Sequence, residues 1–251
     1  MKYKNFLTQT DHGLMLINKN DRVVGKNLSM NGSWEQSYIQ VFKKLIAKHF
    51  AEDQVVEVID CGANLGVYSL SLAQMAGMKV KVHAIEVQRL MYQMLNANIA
   101  LNSLDNVWTH HAAVSDVMSE IQLQYPSMDH IANFGAFEVL SGVRNSDFDG
   151  KESMPVETVK TLTIDSLALK HCAFIKLDVE GMENLAIKGA LNTIEAARPL
   201  VFFERHKTDY GDIKQMLSRF DYNLWELPSF NVLAMRKEWD LKVTPSHKVE
   251  L

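Results

Sequence analysis

Acidic residues and glycines gather where apolar runs of this sequence stop. In VIDCGANLG the run ends at Asp60, and Gly62, Ala63, Asn64 and Gly66 follow at once. VKVHAIE ends in Glu86, 26 residues beyond Asp60. IKLDVEGME carries Asp178 and Glu180, and LVFFERH ends in Glu204 and His206. Gly62 would let the backbone approach a ligand where any side chain would clash. Gly66 would open a helix whose first N–H groups lack partners and carry partial positive charge. With Asp60 two residues before the first glycine, the stretch suits a nucleotide-like ligand bearing a carboxylate or phosphate.

Glu86 stands close to the spacing of about 20 residues expected of the acid that accepts both hydroxyls of a ribose diol. The small residues Ala112, Ala113, Val114 and Ser115, with Asp116 after them, leave room for a flat purine. A close-packed strand end explains them equally well. Asp178 and Glu180 at a strand mouth would orient a substrate, accept a proton or face a ligand ammonium, and Glu204 with His206 repeats that arrangement. His110 and His111 are neighbours on a strand and point to opposite faces, so both read as structural.

The elements that must position these residues alternate. VVEVID, VKVHAIE, NVWTHHAAV, AFIKLDVE and LVFFE read as apolar strands. Helices are expected over 67–76, closed by Gly77, over 89–101 and over about 183–195, and Ile213, Met216, Leu217 and Phe220 form a helical stripe. YNLWEL and NVLAMR close the chain as two strands. Strand–helix alternation with apolar strands predicts a parallel sheet covered on both faces, with ligands at the carboxyl ends of its strands. Upstream, 13–28 reads as a hairpin around Asn20 and Asp21, and Ser33 as the cap of a helix reaching Phe50. The segment 117–163, rich in Gly, Ser, Asn and Asp, breaks the rhythm and reads as a flap or β-insertion beside the site.

Composition narrows the function classes. The chain has 251 residues, 47% of them hydrophobic, and a formal net charge of -4, so no global basic field marks a nucleic-acid binder. Two cysteines, each in an apolar stretch, fit a reducing cytoplasm better than a disulfide framework. Residues 1–13 lack the apolar stretch of a signal peptide, and no run of about 18 apolar residues predicts a membrane span.

Taken in order, VIDCGANLG, Glu86, AAVSD, TLTIDSL, IKLDVEGMENLAIKGA and RPLVFFERH resemble the FkbM-type S-adenosylmethionine-dependent methyltransferases, over roughly 33–206. The resemblance implies a class I methyltransferase fold, Rossmann-like α/β, mostly parallel with an antiparallel C-terminal hairpin and helices on both faces. A hairpin and helix over 1–50 are expected to pack on an S-adenosylmethionine-binding domain over 51–251. Asp60, Gly62, Ala63, Asn64 and Gly66 would hold the methionine part of the cofactor, Glu86 the ribose, and Ala113, Val114 and Asp116 would lie by the adenine. Asp178 would serve both cofactor and acceptor. Family members often carry proline after the ribose acid; here Val87 leaves that turn without it.

The implied reaction is attack by a hydroxyl of a sugar or other small-molecule or glycan acceptor on a sulfonium methyl, with Asp178, Glu180, Glu204 and His206 as candidate bases. The same groups would suit Mg²⁺ or Mn²⁺, though no metal is expected. A nicotinamide-dependent oxidoreductase and a non-catalytic cofactor-binding module are the alternatives. The missing middle glycine of G-x-G-x-x-G counts against the first, and the intact acids count against the second. Nucleic acid is not expected as a partner, and nothing in the sequence speaks to an oligomer.

Overall fold

In the computed structural model, which describes residues 4–124, 127–136 and 156–239 and two short strands beyond them, strand β1 (Asn5–Thr10) pairs antiparallel with β2 (Gly13–Asn18). The turn between them is Asp11-His12, not Asn20-Asp21. Thr10 Oγ1 accepts from the His12 N–H at 3.1 Å and donates to the Gly13 carbonyl at 2.8 Å, a local bond that outcompetes a later turn. The rest of the expected hairpin is helix α1 (Val24–Asn31), which buries Val24 and Leu28. Its Gly and Asn content argues against a helix, and burial overrides that propensity.

Helix α2 (Gln36–His49) buries Ile39, Phe42, Leu45 and Ile46. Ser33 does not cap it. The residue before α2 is Glu35, held at φ 50 with no capping bond from its side chain. The chain then alternates: β3 (Val55–Cys61), α3 (Val67–Ala73), β4 (Lys79–Glu86), α4 (Arg89–Leu101) and β5 (Val107–His111). Helix α3 is shorter than expected, ending before the turn that holds Gly77. Strands β6 (Ala113–Val114), β7 (Glu120–Gln124) and β8 (Val156–Leu162) form a separate three-stranded sheet, with β8 parallel to β6 and antiparallel to β7. Within the 117–163 segment, 125–126 and 137–155 lie outside the described residues.

A 3-10 turn (Ile164–Leu167) leads to β9 (Cys172–Leu177). One helix was expected next; there are two, α5 (Glu183–Lys188) and α6 (Leu191–Ala197), parted at Gly189. A Cβ at Gly189 would stand 2.1 Å from the Ser115 carbonyl oxygen, so the break admits the end of β6. Then come β10 (Leu200–Glu204), α7 (Tyr210–Ser218), β11 (Tyr222–Glu226) and β12 (Asn231–Arg236), followed by the paired β13 (Lys242–Val243) and β14 (Val249–Glu250).

The central sheet has the order β11-β12-β10-β9-β3-β4-β5. Within it β12 runs antiparallel to both neighbours, while β10, β9, β3, β4 and β5 pair in parallel, as the sequence pattern predicts. Leu28, Phe42, Leu70 and Leu95, from α1 to α4, pack on one face; Ala186, Ile194 and Met216, from α5 to α7, pack on the other. Alternation along the strands sets which residues reach each side. On β3, β9 and β10, Val58, Phe174 and Phe202 face the first set, and Ile59, Ile175 and Val201 the second.

Candidate active site

Even-numbered residues face α2 and α3 on four central strands, so Asp60, Glu86 and Lys176 all point to that side. Asp60 and Lys176 are register partners on β3 and β9. Above them opens a cavity of about 350 Å³. Gly62, Ala63, Asn64, Glu86, Ala113 and Val114 line one end of it, and Asp178, Glu180 and Glu204 also line it. The strand mouths of β3, β4, β6, β9 and β10 therefore converge on one space, as expected at the carboxyl edge of such a sheet.

The glycine loop is closed on itself. The N–H groups of Gly62 and Ala63 donate to the Ile85 carbonyl, that of Leu65 to Asn64 Oδ1, and that of Gly66 to the Ala63 carbonyl. Asn64 donates its N–H to Glu86 Oε2 at 2.8 Å. The N–H groups of residues 62–66 therefore all have acceptors. Gly62 sits at φ +72, and a Cβ there would lie 1.8 Å from the Asp178 carbonyl oxygen. Asp178 in turn donates its N–H to the Cys61 carbonyl at 3.2 Å. Glycine is required at 62 by the neighbouring strand mouth, and the two motifs are clasped backbone to backbone.

Asp60 and Gly66 do not line the cavity, a correction to their reading as ligand contacts. Asp60 is fully buried, and its Oδ2 accepts from the Ser69 N–H at 3.0 Å and the Ser69 hydroxyl at 2.6 Å. It anchors the first turn of α3 from below. Asp116 is exposed and also lies off the cavity, because the strand turns away at Ser115 to pack on Gly189. Glu86 is 4% exposed and its second oxygen accepts from the Gln88 N–H at 2.8 Å. Burial pushes its carboxyl up to about 7, against the pull of those two N–H groups. Two of roughly four acceptor positions on the carboxylate remain for a ligand.

At the other end, one carboxylate oxygen from each of Asp178, Glu180 and Glu204 lies within 4.8 Å of the others. A divalent cation uses such a set, but Lys176 already stands 3.4 Å from Asp178 and Lys207 pairs with Glu180. Burial, then Asp178, raises Glu180 to about 7 in spite of Lys207, and the same two causes raise Glu204. Neither Asp178 nor Glu180 caps α5. Glu183 holds the turn instead, accepting from the N–H groups of Val179 at 2.9 Å and Gly181 at 3.1 Å. His206 is exposed, packs its ring on Phe230 4.7 Å away and does not line the cavity. Its place one turn beyond β10 carries it past the rim. His111, read as structural, contacts the Val87 carbonyl at 3.1 Å, and His110 contacts His83 at 3.2 Å.

Lys176, Glu35, Tyr68 and Gln88 complete the site. Lys176 is 3% exposed and lines the cavity floor. Glu35 accepts from the Tyr68 hydroxyl at 2.9 Å, and burial raises its carboxyl. Gln88 donates to the Phe134 carbonyl at 2.8 Å and so ties the segment before Gly135 across the glycine-loop end. The signal for Lys176 was present as one cation inside an apolar strand. Glu35 had none, because its aim depends on a left-handed backbone. Glu35, Asn64 and Glu180 line the cavity at φ 50, 51 and 53. Each non-glycine residue held there costs about 1–3 kcal/mol, and such strain clusters at functional sites.

The model of the methyltransferase FkbM domain matches residues 60–224. No curated protein sequence matches the chain. The crystal structure of the methyltransferase FkbM from Methylobacillus flagellatus KT superposes with a TM-score of 0.52 and 19% identity, over 77% of this chain and 47% of that one. This chain thus spans about half the length of that protein. The fold shared with it is that of the class I methyltransferases. M. jannaschii TYW2 in complex with AdoMet superposes with a TM-score of 0.44 and 15% identity, over 93% of this chain and 85% of that one. Among the described residues no helix is long and apolar enough to cross a membrane.

Proposed function

Since the chain belongs to the FkbM methyltransferase domain family, we propose that it transfers a methyl group from S-adenosylmethionine to a hydroxyl of a sugar or other small-molecule acceptor. One observation carries this reading: a buried carboxylate with open acceptor positions, Glu86, and three clustered carboxylates share one cavity between two clasped strand mouths. The first suits a ribose diol; the second suits a hydroxyl that must lose a proton. The residues present fit the cofactor. Ala112, Ala113 and Val114 form a small, apolar strand end beside Glu86, and Gly62 keeps the loop against Asp178 with no side chain between them.

When bound, S-adenosylmethionine supplies the electrophilic methyl. The protein's part is placement and proton transfer. Glu86 would hold the cofactor by its two ribose hydroxyls. Asp178, beside Lys176, accepts a hydrogen bond from the acceptor and orients it in line, the arrangement that contributes about 7–11 kcal/mol in favourable cases. Glu180, raised to about 7, takes the proton as the oxygen attacks, because a base is most effective with a pKa near the working pH. Phe202, Tyr68 and Trp34 line the same space and limit water.

The test has two stages. Calorimetry with S-adenosylhomocysteine on the purified chain should give micromolar binding, with no binding of NAD or NADP. Incubation of cell extracts with isotope-labelled S-adenosylmethionine should then label a small molecule. Absence of any S-adenosylhomocysteine binding to folded protein at millimolar ligand would reject the reading. Binding without turnover of any acceptor would favour a non-catalytic module.

A further inference from the structure

The cavity lining carries more carboxyl groups than cationic ones. Among its described lining residues Glu35, Glu86, Asp178, Glu180 and Glu204 are acidic, and Lys176 is basic. The Lys176 ammonium sits 3.2 Å from the Gly62 carbonyl oxygen, 3.4 Å from that of Cys61, 3.4 Å from Asp178 Oδ2 and 3.5 Å from Asp60 Oδ1. Its three protons face four oxygens, and the Tyr68 ring stands over it, 5.2 Å from centroid to nitrogen.

This is not the geometry of a lysine that only neutralises a buried acid. Asp60 is its register partner, so a direct pair is within easy reach. The ammonium is instead shared among Asp60, the loop carbonyls and Asp178, whose side chain is 45% exposed. It bridges a buried acid on one side and an acid facing the cavity on the other. Burial alone would depress the lysine; Asp178 and Asp60 outweigh it and hold it above its ordinary range. The same ammonium pulls Glu35, Glu86 and Glu204 down against burial.

We propose that Lys176 is the positioning residue of the site: one ammonium that holds the glycine loop by the Cys61 and Gly62 carbonyls and ties it to the Asp178 carboxylate. The role rests on the reading of the cavity as an S-adenosylmethionine site. Lys176 acts through the loop and the acids, and no contact with a reacting atom is assigned to it. Gly62 packs on the Asp178 backbone while Lys176 reaches the Gly62 carbonyl and the Asp178 carboxylate, so its loss would loosen the loop and remove a cation from Glu35, Glu86 and Glu204.

The experiment compares wild type, Asp60→Asn, Lys176→Met and the double variant Asp60→Asn/Lys176→Met. Stability is read by thermal melting and S-adenosylhomocysteine affinity by calorimetry, over about pH 5.5 to 8.5. Lys176→Met alone leaves Asp60 buried without its counter-charge, so the double variant carries the test. It should melt near Asp60→Asn yet bind about tenfold or more weakly than Asp60→Asn. The pH below which its affinity falls should also move upward, because a cation that favoured ionised carboxylates is gone. The other charges facing these acids, Lys207 at Glu180 and His206 toward Glu204, are present in all four proteins and cancel in the comparison. Equal affinity and an unchanged pH profile in the double variant and Asp60→Asn would overturn the proposal, leaving Lys176 a neutraliser of Asp60. A double variant that unfolds while Asp60→Asn stays folded would overturn it too, making Lys176 purely structural. Wild type that binds no S-adenosylhomocysteine would reject the methyltransferase reading itself, and the role of Lys176 with it.

Discussion

The two ends of the cavity are built on opposite principles. At the glycine-loop end each hydrogen bond named involves a backbone group: Glu86 accepts from the Asn64 and Gln88 N–H groups, and the other loop N–H groups close on Ile85, Asn64 and Ala63. At the acid end Asp178, Glu180 and Glu204 crowd one another, and side-chain ammonium groups stand against two of them. The first end is made rigid by local chain geometry. The second is held by charges brought from strands β9 and β10 and from the segment beyond. A preformed pocket suits a cofactor of fixed shape, whereas strained, closely packed acids suit a proton transfer.

The clasp between the ends offers the largest effect. A methyl at Gly62 would stand 1.8 Å from the Asp178 carbonyl oxygen, on a backbone at φ +72. Overpacking against backbone and left-handed strain each cost about 1–3 kcal/mol. Gly62→Ala should therefore lose about 3 kcal/mol or more in chemical denaturation and weaken S-adenosylhomocysteine binding along with it. A variant within about 1 kcal/mol of wild type would mean that the two ends move independently.

The acid end should fail in rate and not in stability. Glu180→Gln and Asp178→Asn keep shape and remove charge. At least one should slow methyl transfer about 100-fold, or about 2.7 kcal/mol, while S-adenosylhomocysteine affinity stays within a few-fold. Because Glu183 holds the turn by the N–H groups of Val179 and Gly181, neither change removes a helix cap. Wild-type turnover in both variants, with a true acceptor, would make these acids structural and pass the proton to Glu204.

The glycine-loop end should fail in affinity. Glu86→Gln replaces a charged acceptor of ribose hydroxyls by a neutral one, and about tenfold weaker binding is expected. The pH dependence gives the sharper reading. Burial raises the Glu86 carboxyl from 4.5 to about 7, so it is ionised, and the better acceptor, above that value. Wild-type affinity for S-adenosylhomocysteine should rise as pH increases through about 7, and that of Glu86→Gln should not. The linked stability has the opposite sign. A raised acid contributes stability that is fully present below 4.5 and lost as pH rises through about 7. Calorimetry at several pH values on both proteins decides; parallel curves would remove Glu86 from the ligand's contacts.

How much of this was legible follows the same division. The strands of the sheet and helix α4 announce themselves by apolar pattern, because parallel strands buried on both faces leave no polar alternation to confuse them. The glycine loop and Glu86 were legible because backbone geometry imposes residue types at fixed spacing. Helix α2 was legible too, by its apolar face; the chain before it was not. Asn20-Asp21 is a good turn by composition, yet the Thr10 hydroxyl bonds make the turn at Asp11-His12, and α1 exists because Leu28 and Val24 reach the core. Lys176 went unread because its partners are a register neighbour on β3 and carbonyls 114 and 115 residues away. Glu35 went unread because only the folded chain brings it to Tyr68.

The smallest expected effect concerns the outer limit of the acid end, at His206. By sequence it follows Glu204 by two residues and offers an imidazole, a natural partner for a hydroxyl acceptor. In the fold β10 ends at Glu204, and the chain then turns outward, with the Arg205 N–H bonded to the Phe230 carbonyl at 2.9 Å. That bond directs the next side chain to the surface, where the imidazole lies on Phe230. Its influence on the site passes through Glu204, which its charge pulls down only after burial, Asp178 and Lys207 have acted. An exposed ring with one apolar contact contributes about 0.5 kcal/mol or less to stability. His206→Ala should accordingly melt like wild type, bind S-adenosylhomocysteine unchanged and keep methyl transfer within about twofold. A tenfold fall in kcat at constant affinity would show that the acceptor reaches past the rim, and that the acid end includes a neutral base which the closed, backbone-held end has no counterpart for.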